Sequence, residues 1–255
     1  MTRQPEDHCI QLDGRRVFLR TVSAGVDAAG KPPLLLIHGI SCCTGTWTPF
    51  VEELARRNDG PALIVPDLPA HGESAPPPRV LGITEFADWL EWLLRDLEAG
   101  AVDVMGHSMG CQVALALADQ YPARVRRLVL LGPTTGGRHV STPRNFAGLI
   151  ADSRLESKPY NALLTRMFWR MGPLHYVLTA RKMQRDDAHL HAARVAAPTL
   201  VLQGERDAII PRRAATDLAR VLPTSEYAPV PGAHAAQYSH PAPTADRVLD
   251  FLRRG

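Results

Sequence analysis

The stretch VDVMGHSMGCQVALALADQY, residues 102–121, decides the fold of this chain. A short, mostly apolar run at 102–105 leads into the pentapeptide GHSMG at 106–110, and apolar residues then recur at helical spacing. The stretch predicts a buried strand, a tight turn and a buried helix that Pro122 ends. A turn this sharp needs small neighbours, and it lifts the hydroxyl of Ser108 clear of the sheet. The simpler alternative is a serine that only caps the helix.

Strand and helix patterns alternate on both sides of this stretch. Apolar runs bounded by glycine or proline predict buried strands at residues 34–37, 63–65, 125–131 and 199–202, with a shorter strand at 227–230. Amphipathic patterns predict helices at 83–97 and 211–222, and an antiparallel hairpin is predicted at 9–12 and 17–21. The predicted fold class is therefore α/β, with a mostly parallel central sheet flanked by helices.

The alternation stops between residues 133 and 194, where a helical segment rich in Met, aromatic residues and Arg takes its place. We therefore expect one core domain made of residues 1–132 and 195–255, with residues 133–194 (the insertion) forming a helical lid. A stripe of Met and aromatic residues in the insertion suits either an apolar substrate pocket or the packed core of a helical segment. Its members are Phe146, Tyr160, Met167, Phe168, Trp169, Met171 and Tyr176.

Composition excludes several classes of protein. The 255 residues are 45% hydrophobic and 22% charged, which is typical of a globular domain. A net charge of +3 is too small to indicate a nucleic-acid partner, and no apolar run is long enough to span a membrane. Residues 1–14 lack the apolar core of a secretory signal, so the sequence predicts a cytoplasmic protein.

Cysteine and histidine spacing predicts neither a metal nor a cofactor. The chain has four cysteines, which are Cys9, Cys42, Cys43 and Cys111. Two of them are adjacent and no C-x-x-C pair occurs, so a disulfide scaffold and a zinc ribbon are both disfavoured. His189 and His191 lie in a charged linker without the acidic or cysteine cluster that a metal site needs. We expect the thiols to be reduced.

A serine hydroxyl is a weak nucleophile at neutral pH, so Ser108 needs a histidine to take its proton and a carboxylate to orient that histidine. Asp207 follows a predicted buried strand, and His234 follows the last one. The order Ser, Asp, His is one in which such triads occur. Glu205 is the alternative acid and His240 the alternative base, because each lies close to the preferred residue in sequence.

The turn after the first buried strand supplies a second part of the expected site. A glycine there lets the chain turn so that the backbone N–H of Ile40 faces the same point as the N–H of Met109, and two such donors form an oxyanion hole. A purely structural turn with a hydrogen-bonded histidine is the alternative, and it is compatible with backbone donors. Candidate pocket residues come from this turn and from the insertion: His38, Gly39, Ser41, Cys42, Phe168 and Trp169.

With these motifs in place, the sequence resembles the α/β-hydrolase fold family from about residue 17 to residue 252. The resemblance rests on five motifs: LIHG at 36–39, DLPAHGES at 67–74, GHSMG at 106–110, GERD at 204–207 and GAH at 232–234. It implies that Asp67 is structural. Relatives usually have glycine where Ala70 stands and often have glycine where Cys111 stands.

The resemblance implies a serine hydrolase that cleaves a carboxylic ester, thioester or related carbonyl substrate through a Ser-His-Asp triad and an acyl-enzyme. Ser108 disfavours the branch with an aspartate nucleophile. The C–C bond hydrolases of the family commonly have Gly-His-Trp at the catalytic histidine, whereas Ala233 and Ala235 flank His234 here. Hydrolysis of a diketone-like C–C bond, acyl transfer and a non-catalytic ligand-binding role remain the alternatives.

Charge is unevenly distributed along the chain. Residues 138–185 hold nine Lys or Arg against two acids, Asp152 and Glu156. A solvated helix face whose arginines pair with the core domain is one explanation. The more specific hypothesis is that the positive charge of the insertion attracts a small anionic acyl or ester substrate.

Overall fold

The computed structural model describes residues 3–136 and 142–254, with the side chains of 142–147 left undescribed. Eight strands form one sheet: β1 Glu6–Leu12, β2 Arg15–Val22, β3 Leu34–Ile37, β4 Leu63–Pro66, β5 Val102–His107, β6 Val125–Leu131, β7 Thr199–Gly204 and β8 Ser225–Val230. The described helices are α1 Thr48–Ala55, α2 Ile83–Asp96, α3 Met109–Gln120, α4 Thr142–Ser153, α5 Lys158–Met171, α6 Pro173–Arg185, α7 Ala188–Ala192, α8 Arg212–Val221, α9 Ala236–Ser239 and α10 Pro241–Leu252.

The sheet has the strand order β1-β2-β4-β3-β5-β6-β7-β8. β2 pairs antiparallel with β1 and with β4, and all other neighbours are parallel. This confirms the predicted α/β class with a mostly parallel sheet. The edge hairpin is longer than predicted, and Pro211 precedes α8 as its N-cap instead of occupying the first helical position.

Helices cover both faces of the sheet, which explains why the central strands are mostly apolar. On one face, Phe86 and Leu90 of α2 pack with Leu117 of α3 in a buried cluster. On the other face, Phe50 of α1 packs in a second cluster with Val248 of α10. The central strands are therefore fixed from both sides.

Parallel register brings the carboxyl ends of five strands to one edge. Ile37 of β3 pairs with Gly106 of β5, and His107 of β5 pairs with Leu131 of β6. Leu131 in turn pairs with Leu202 of β7, which pairs with Ala228 of β8. The residues that follow β3, β5, β7 and β8 therefore meet at the edge where ligands bind in open α/β sheets.

The four helices α4 to α7 lie between β6 and β7, where the sequence predicts the insertion. Side-chain contacts join the insertion to the core domain. Arg170 of α5 donates to the carbonyl of Gly72 and to the carboxylate of Glu73, and Lys182 of α6 lies 3.5 Å from Glu85. The interpretation of the insertion as a lid stays a prediction.

Candidate active site

Ser108 lies at the turn between β5 and α3 in a conformation that L-amino acids rarely adopt, with φ 55° and ψ −119°. Its backbone N–H donates to the carbonyl of Leu131 at 3.0 Å, which ties the turn to β6. Both flanking glycines are required sterically. A Cβ on Gly106 would lie 2.4 Å from the carbonyl oxygen of Gly110, and a Cβ on Gly110 would lie 2.2 Å from that of Ile37.

Asp207 and His234 are joined by a side-chain hydrogen bond at this edge. Oδ2 of Asp207 lies 2.9 Å from Nδ1 of His234, and the two side chains are 0% and 7% exposed. The other oxygen of Asp207 accepts the backbone N–H groups of Ile209 and Ile210, each at 2.9 Å. The loop after β7 therefore satisfies the carboxylate and directs its second oxygen at the histidine.

The loop after β8 carries His234, and the backbone of this residue is held by His107 of β5. Nε2 of His107 donates to the carbonyl of His234 at 3.1 Å, and the two ring centroids are 4.8 Å apart. Burial holds the pKa of His107 well below its usual range, so its ring is neutral. Burial also lowers the pKa of His234, but the charge and hydrogen bond of Asp207, with the charges of Asp152 and Glu156, raise it overall. An imidazolium at His234 is therefore favoured by its surroundings.

Gly39 brings the turn after β3 against Ser108. A Cβ on Gly39 would lie 3.1 Å from the Cβ and 3.6 Å from the Oγ of Ser108. The next N–H, that of Ile40, and the N–H of Met109 at the start of α3 find no hydrogen-bond acceptor within residues 3–136 and 142–254. Both donors are therefore available to an oxyanion.

His38 is fully buried and fixes this turn. The N–H of Leu68 donates to its Nε2 at 3.0 Å, so Nδ1 carries the ring proton and donates to the carbonyl of Gly39 at 2.8 Å. Burial, with the charge of His71 as a smaller cause, lowers the pKa of His38 to about 3. The ring is thus neutral and both of its nitrogens are occupied by backbone groups.

The remaining pocket candidates occupy different environments. Ser41 is buried with φ 55°, and its hydroxyl has no partner among the described residues. Cys42 is buried, and burial raises the pKa of its thiol. Phe168 packs against Trp169 and Tyr176, with ring centroids 5.5 and 5.2 Å apart. Trp169 itself is 68% exposed, and the side chain of Phe146 lies outside the described part of the chain.

The alternative acid and base have environments different from those of Asp207 and His234. Glu205 is exposed, whereas the side chain of Asp207 is buried against His234. Nδ1 of His240 lies 3.1 Å from the hydroxyl of Ser239. This geometry favours Asp207 and His234 over both alternatives.

Sequence reasoning missed three residues of this site. Gly132 has φ 56°, and a Cβ there would lie 3.0 Å from two ring atoms of His234 and 3.3 Å from Oδ2 of Asp207. Asp152 and Glu156 accept the backbone N–H groups of His234 and Ala235. A glycine directly after a buried strand was a usable signal for Gly132, but the two acids carry no local signal of their position.

Asp67 has the structural environment that the resemblance implies. Its two oxygens accept the N–H groups of Thr44 at 2.6 Å and Glu73 at 2.7 Å. Burial raises the pKa of Asp67 to about 6, although these hydrogen bonds oppose the shift. Ala70, where relatives usually have glycine, has φ 65°, which explains the preference for glycine at that position.

The described part of the chain contains no group of three or more His, Cys, Asp or Glu arranged to hold a metal ion. Nor does any helix in the described ranges have the length and apolar character needed to cross a membrane.

The chain belongs to the α/β-hydrolase fold family, whose model matches residues 32–166. It is 31% identical over 254 residues to the 2-hydroxy-6-oxononadienedioate/2-hydroxy-6-oxononatrienedioate hydrolase of Paraburkholderia phymatum, covering 88% of each chain. An uncharacterized protein of Mycobacterium tuberculosis is 38% identical over 104 residues, which is 41% of this chain and only 30% of that protein.

The fold is also shared with solved structures. The enol-lactonase from Burkholderia xenovorans superposes with a TM-score of 0.79, over 96% of this chain and 99% of that one, at 20% identity. The relative from Paraburkholderia phymatum is named a hydrolase and the structural neighbour an enol-lactonase, and this chain shares the α/β-hydrolase fold.

Proposed function

We propose that the protein is a serine hydrolase in which Ser108, His234 and Asp207 form the catalytic triad. The observation that carries the proposal is the 2.9 Å contact between Asp207 Oδ2 and His234 Nδ1 at the same sheet edge as the strained turn of Ser108. Because Nδ1 is bound to Asp207, Nε2 is the nitrogen of His234 that takes the serine proton.

The reaction proceeds in two halves. Oγ of Ser108 bonds to the substrate carbonyl carbon while its proton moves to His234, and the carbonyl oxygen becomes an anion. The N–H groups of Ile40 and Met109 stabilise that anion, each worth about 10²–10³ in rate. The bond to the leaving group then breaks and His234 returns the proton to it. Water repeats the sequence on the acyl-enzyme, which frees the acid and Ser108.

A carboxylic ester, thioester or related carbonyl compound is the substrate class that this machinery suits. Hydrolysis of a C–C bond in a diketone-like substrate is the second candidate, because the relative from Paraburkholderia phymatum is named as a hydrolase of 2-hydroxy-6-oxononadienedioate and 2-hydroxy-6-oxononatrienedioate, whose names include an oxo group. The alanines on both sides of His234 distinguish this chain from the Gly-His-Trp pattern common in that group.

The insertion is the part of the chain to which we assign substrate selection, as a lid over the sheet edge. Its basic residues Arg154, Lys158, Arg166, Arg181 and Arg185 are exposed, whereas Arg170 pairs with Glu73 at 2.6 Å. Arg138 and the side chain of Arg144 lie outside the described residues. An anionic substrate drawn by the exposed cations is expected to lose kcat/KM steeply as salt rises, while a neutral ester is not.

The proposed function is tested with 4-nitrophenyl acetate and butyrate and with a fluorophosphonate that labels active serines. We expect wild-type protein to hydrolyse an ester and to be labelled on Ser108, and Ser108→Ala to lose both. Ser225→Ala is the matched control, because Ser225 lies at the exposed start of β8 and its hydroxyl donates to the carbonyl of Ala219 at 2.6 Å.

The outcomes separate the candidate functions. Labelling of Ser108 with turnover of a diketone-like substrate but not of esters favours C–C hydrolysis, and ester formation with an added alcohol favours acyl transfer. If Ser108 is not labelled and Ser108→Ala matches wild type on every substrate, the protein is not a serine hydrolase.

A further inference from the structure

Two carboxylates of the insertion reach the backbone that carries the candidate base. Asp152 lies in the last turn of α4, and Glu156 follows four residues later. Oδ1 of Asp152 accepts the N–H of His234 at 3.1 Å, and Oε1 of Glu156 accepts the N–H of Ala235 at 2.8 Å. Two successive N–H groups of the loop after β8 are thus bound by two acids from one segment of the chain.

This arrangement is costly. The two residues are only 5% and 7% exposed, and Oε2 of Glu156 is buried with no hydrogen-bond partner among the described residues. Burial raises the pKa of both carboxyls, and the charge of Asp152 adds to the rise at Glu156. Buried acids with so few partners weaken a fold, so stability alone does not explain their position.

The helix that carries Asp152 also packs against the loop of Asp207. A Cβ on Gly148 of α4 would lie 2.8 Å from the carbonyl oxygen of Ala208 and 3.0 Å from the Cα of Ile209. A hydrogen bond with the backbone of Ala208 favours the ionised form of Asp152 as well. α4 therefore contacts both loops whose side chains form the 2.9 Å pair.

We propose that Asp152 and Glu156 are positioning residues that hold the loop of His234 against Asp207 and stabilise the imidazolium form of its ring. The proposal rests on the proposed serine-hydrolase function. A positive charge appears on His234 when it takes the proton of Ser108, and two further negative charges behind the ring make that step easier. Neither acid touches the substrate or the reacting atoms in this role.

The charges around His234 come from several elements. Asp207 follows β7 and is the direct partner, Asp152 and Glu156 come from the insertion, and the neutral ring of His107 comes from β5. The phenol of Tyr160 in α5 is buried near the two acids, and burial raises its pKa well above the usual value. Asp152 and Glu156 are thus the groups whose neutralisation changes the charge near the His234 ring while its direct partner Asp207 is kept.

Asp152→Asn and Glu156→Gln test the proposal because each retains an oxygen that accepts the backbone N–H and removes only the charge. Neutralising a carboxylate lowers the pKa of His234, and the reaction needs the neutral ring as base. We therefore expect the acidic limb of kcat/KM against pH to move to lower pH by about half a unit in each variant. Asp152→Ala, which also removes the acceptor, is expected to lose about tenfold or more in kcat.

The titration of His234 is also followed directly by NMR of the histidine rings, with His234→Gln for assignment, so the test does not depend on turnover. Asp217→Asn in α8 is the matched control, because Asp217 pairs with Arg213 and Arg220 on a different surface. Its pH profile and the His234 titration are expected to match wild type.

Unchanged titrations of His234 in folded Asp152→Asn and Glu156→Gln overturn the proposal, and so does an Asp152→Ala variant with wild-type kcat. Should Asp152→Ala fail to fold, the Asn and Gln variants still decide the question. Failure of the proposed function is recognised separately by unlabelled Ser108, whereas failure of this inference leaves Ser108 labelled and the profiles superimposed.

Discussion

Gly39 lies so close to Ser108 that adding one methyl group to Gly39 would displace part of the candidate site, and the effect on activity tests whether that site is the active one. In Gly39→Ala the new Cβ lies 3.1 Å from the Cβ of Ser108, so either the turn or the serine must shift by a few tenths of an ångström. We expect kcat/KM to fall about 10–100-fold, because small displacements of reacting groups are costly. Gly100→Ala is the control, since nothing lies within 4 Å of its added Cβ. Equal activity of the two variants contradicts the assigned site.

The choice between Asp207 and Glu205 is also decided at single residues. Asp207→Asn retains an oxygen for the N–H groups of Ile209 and Ile210 but presents an amide to Nδ1 of His234. The ring then adopts the tautomer that is unable to accept the proton of Ser108, so we expect kcat to fall about 10³–10⁴-fold. Glu205→Gln changes an exposed side chain and is expected to retain activity. Steady-state kinetics with one ester compares them, and the reverse ranking identifies Glu205 as the acid.

His191 carries no functional signal in the sequence, yet its side chain joins two helices. Its Nδ1 lies 2.8 Å from Asp119 of α3, and its Nε2 lies 3.1 Å from Asp186 at the end of α6. The hydrogen bond that His191 donates to Asp186, together with the one it donates to Asp119, raises the pKa of His191 although burial opposes the rise. The insertion is thus tied to the core domain by an imidazolium between two carboxylates.

Because the folded pKa of His191 is raised, its contribution to stability is complete below the unfolded pKa and is lost as pH rises through the folded pKa. We expect His191→Ala to cost about 1–3 kcal/mol at pH 5.5 and clearly less at pH 9. Urea unfolding at the two pH values measures this difference. His8→Ala in the edge hairpin is the control, and a cost of His191→Ala that is independent of pH refutes the charged bridge.

Strands and helices were predictable where the pattern of apolar residues within the element itself indicates its type. The apolar runs of β3, β5, β6 and β7 and the amphipathic pattern of α2 are local, so the sequence predicts them and also the edge that gathers Ser108, Asp207 and His234. The contacts of Asp152 and Glu156 were not predictable, because they span 82 and 79 residues and depend on how α4 packs. A helix pattern reveals which face is apolar, not which backbone groups it meets.

At the scale of the whole molecule, buried neutral histidines make stability depend on pH. Burial lowers the pKa of His38 to about 3 and of His71 to about 4, and holds that of His107 well below its usual range. The unfolded chain binds protons at these residues near pH 6.5, whereas the folded chain does not. Stability contributed by the neutral rings is therefore present above pH 6.5 and lost as pH falls toward 4. The raised pKa of Asp67, about 6, opposes this trend in part.

We expect the free energy of unfolding to fall between pH 6.5 and pH 5 by about 1–2 kcal/mol for each of these histidines, less the opposing contributions of Asp67 and of the other groups whose pKa folding raises, among them Asp152, Glu156, His191 and His234. Urea unfolding at closely spaced pH values measures the slope. His71→Gln cannot titrate, so its slope is expected to be shallower than that of wild type even if its stability is lower throughout. Parallel slopes for the two proteins exclude His71 as a source of the pH dependence.

The position of α4 has a consequence for how this hydrolase can be varied. In a modular enzyme, a selectivity segment can be exchanged between relatives while the catalytic domain is left unchanged. Here the segment between β6 and β7 supplies the acceptors for two backbone N–H groups of the His234 loop. We expect a segment transplanted from a relative without acids in the same register to alter the proposed substrate choice and the proposed basicity of His234 together. The two proposed roles are linked because α4 and the residues after it reach the His234 loop.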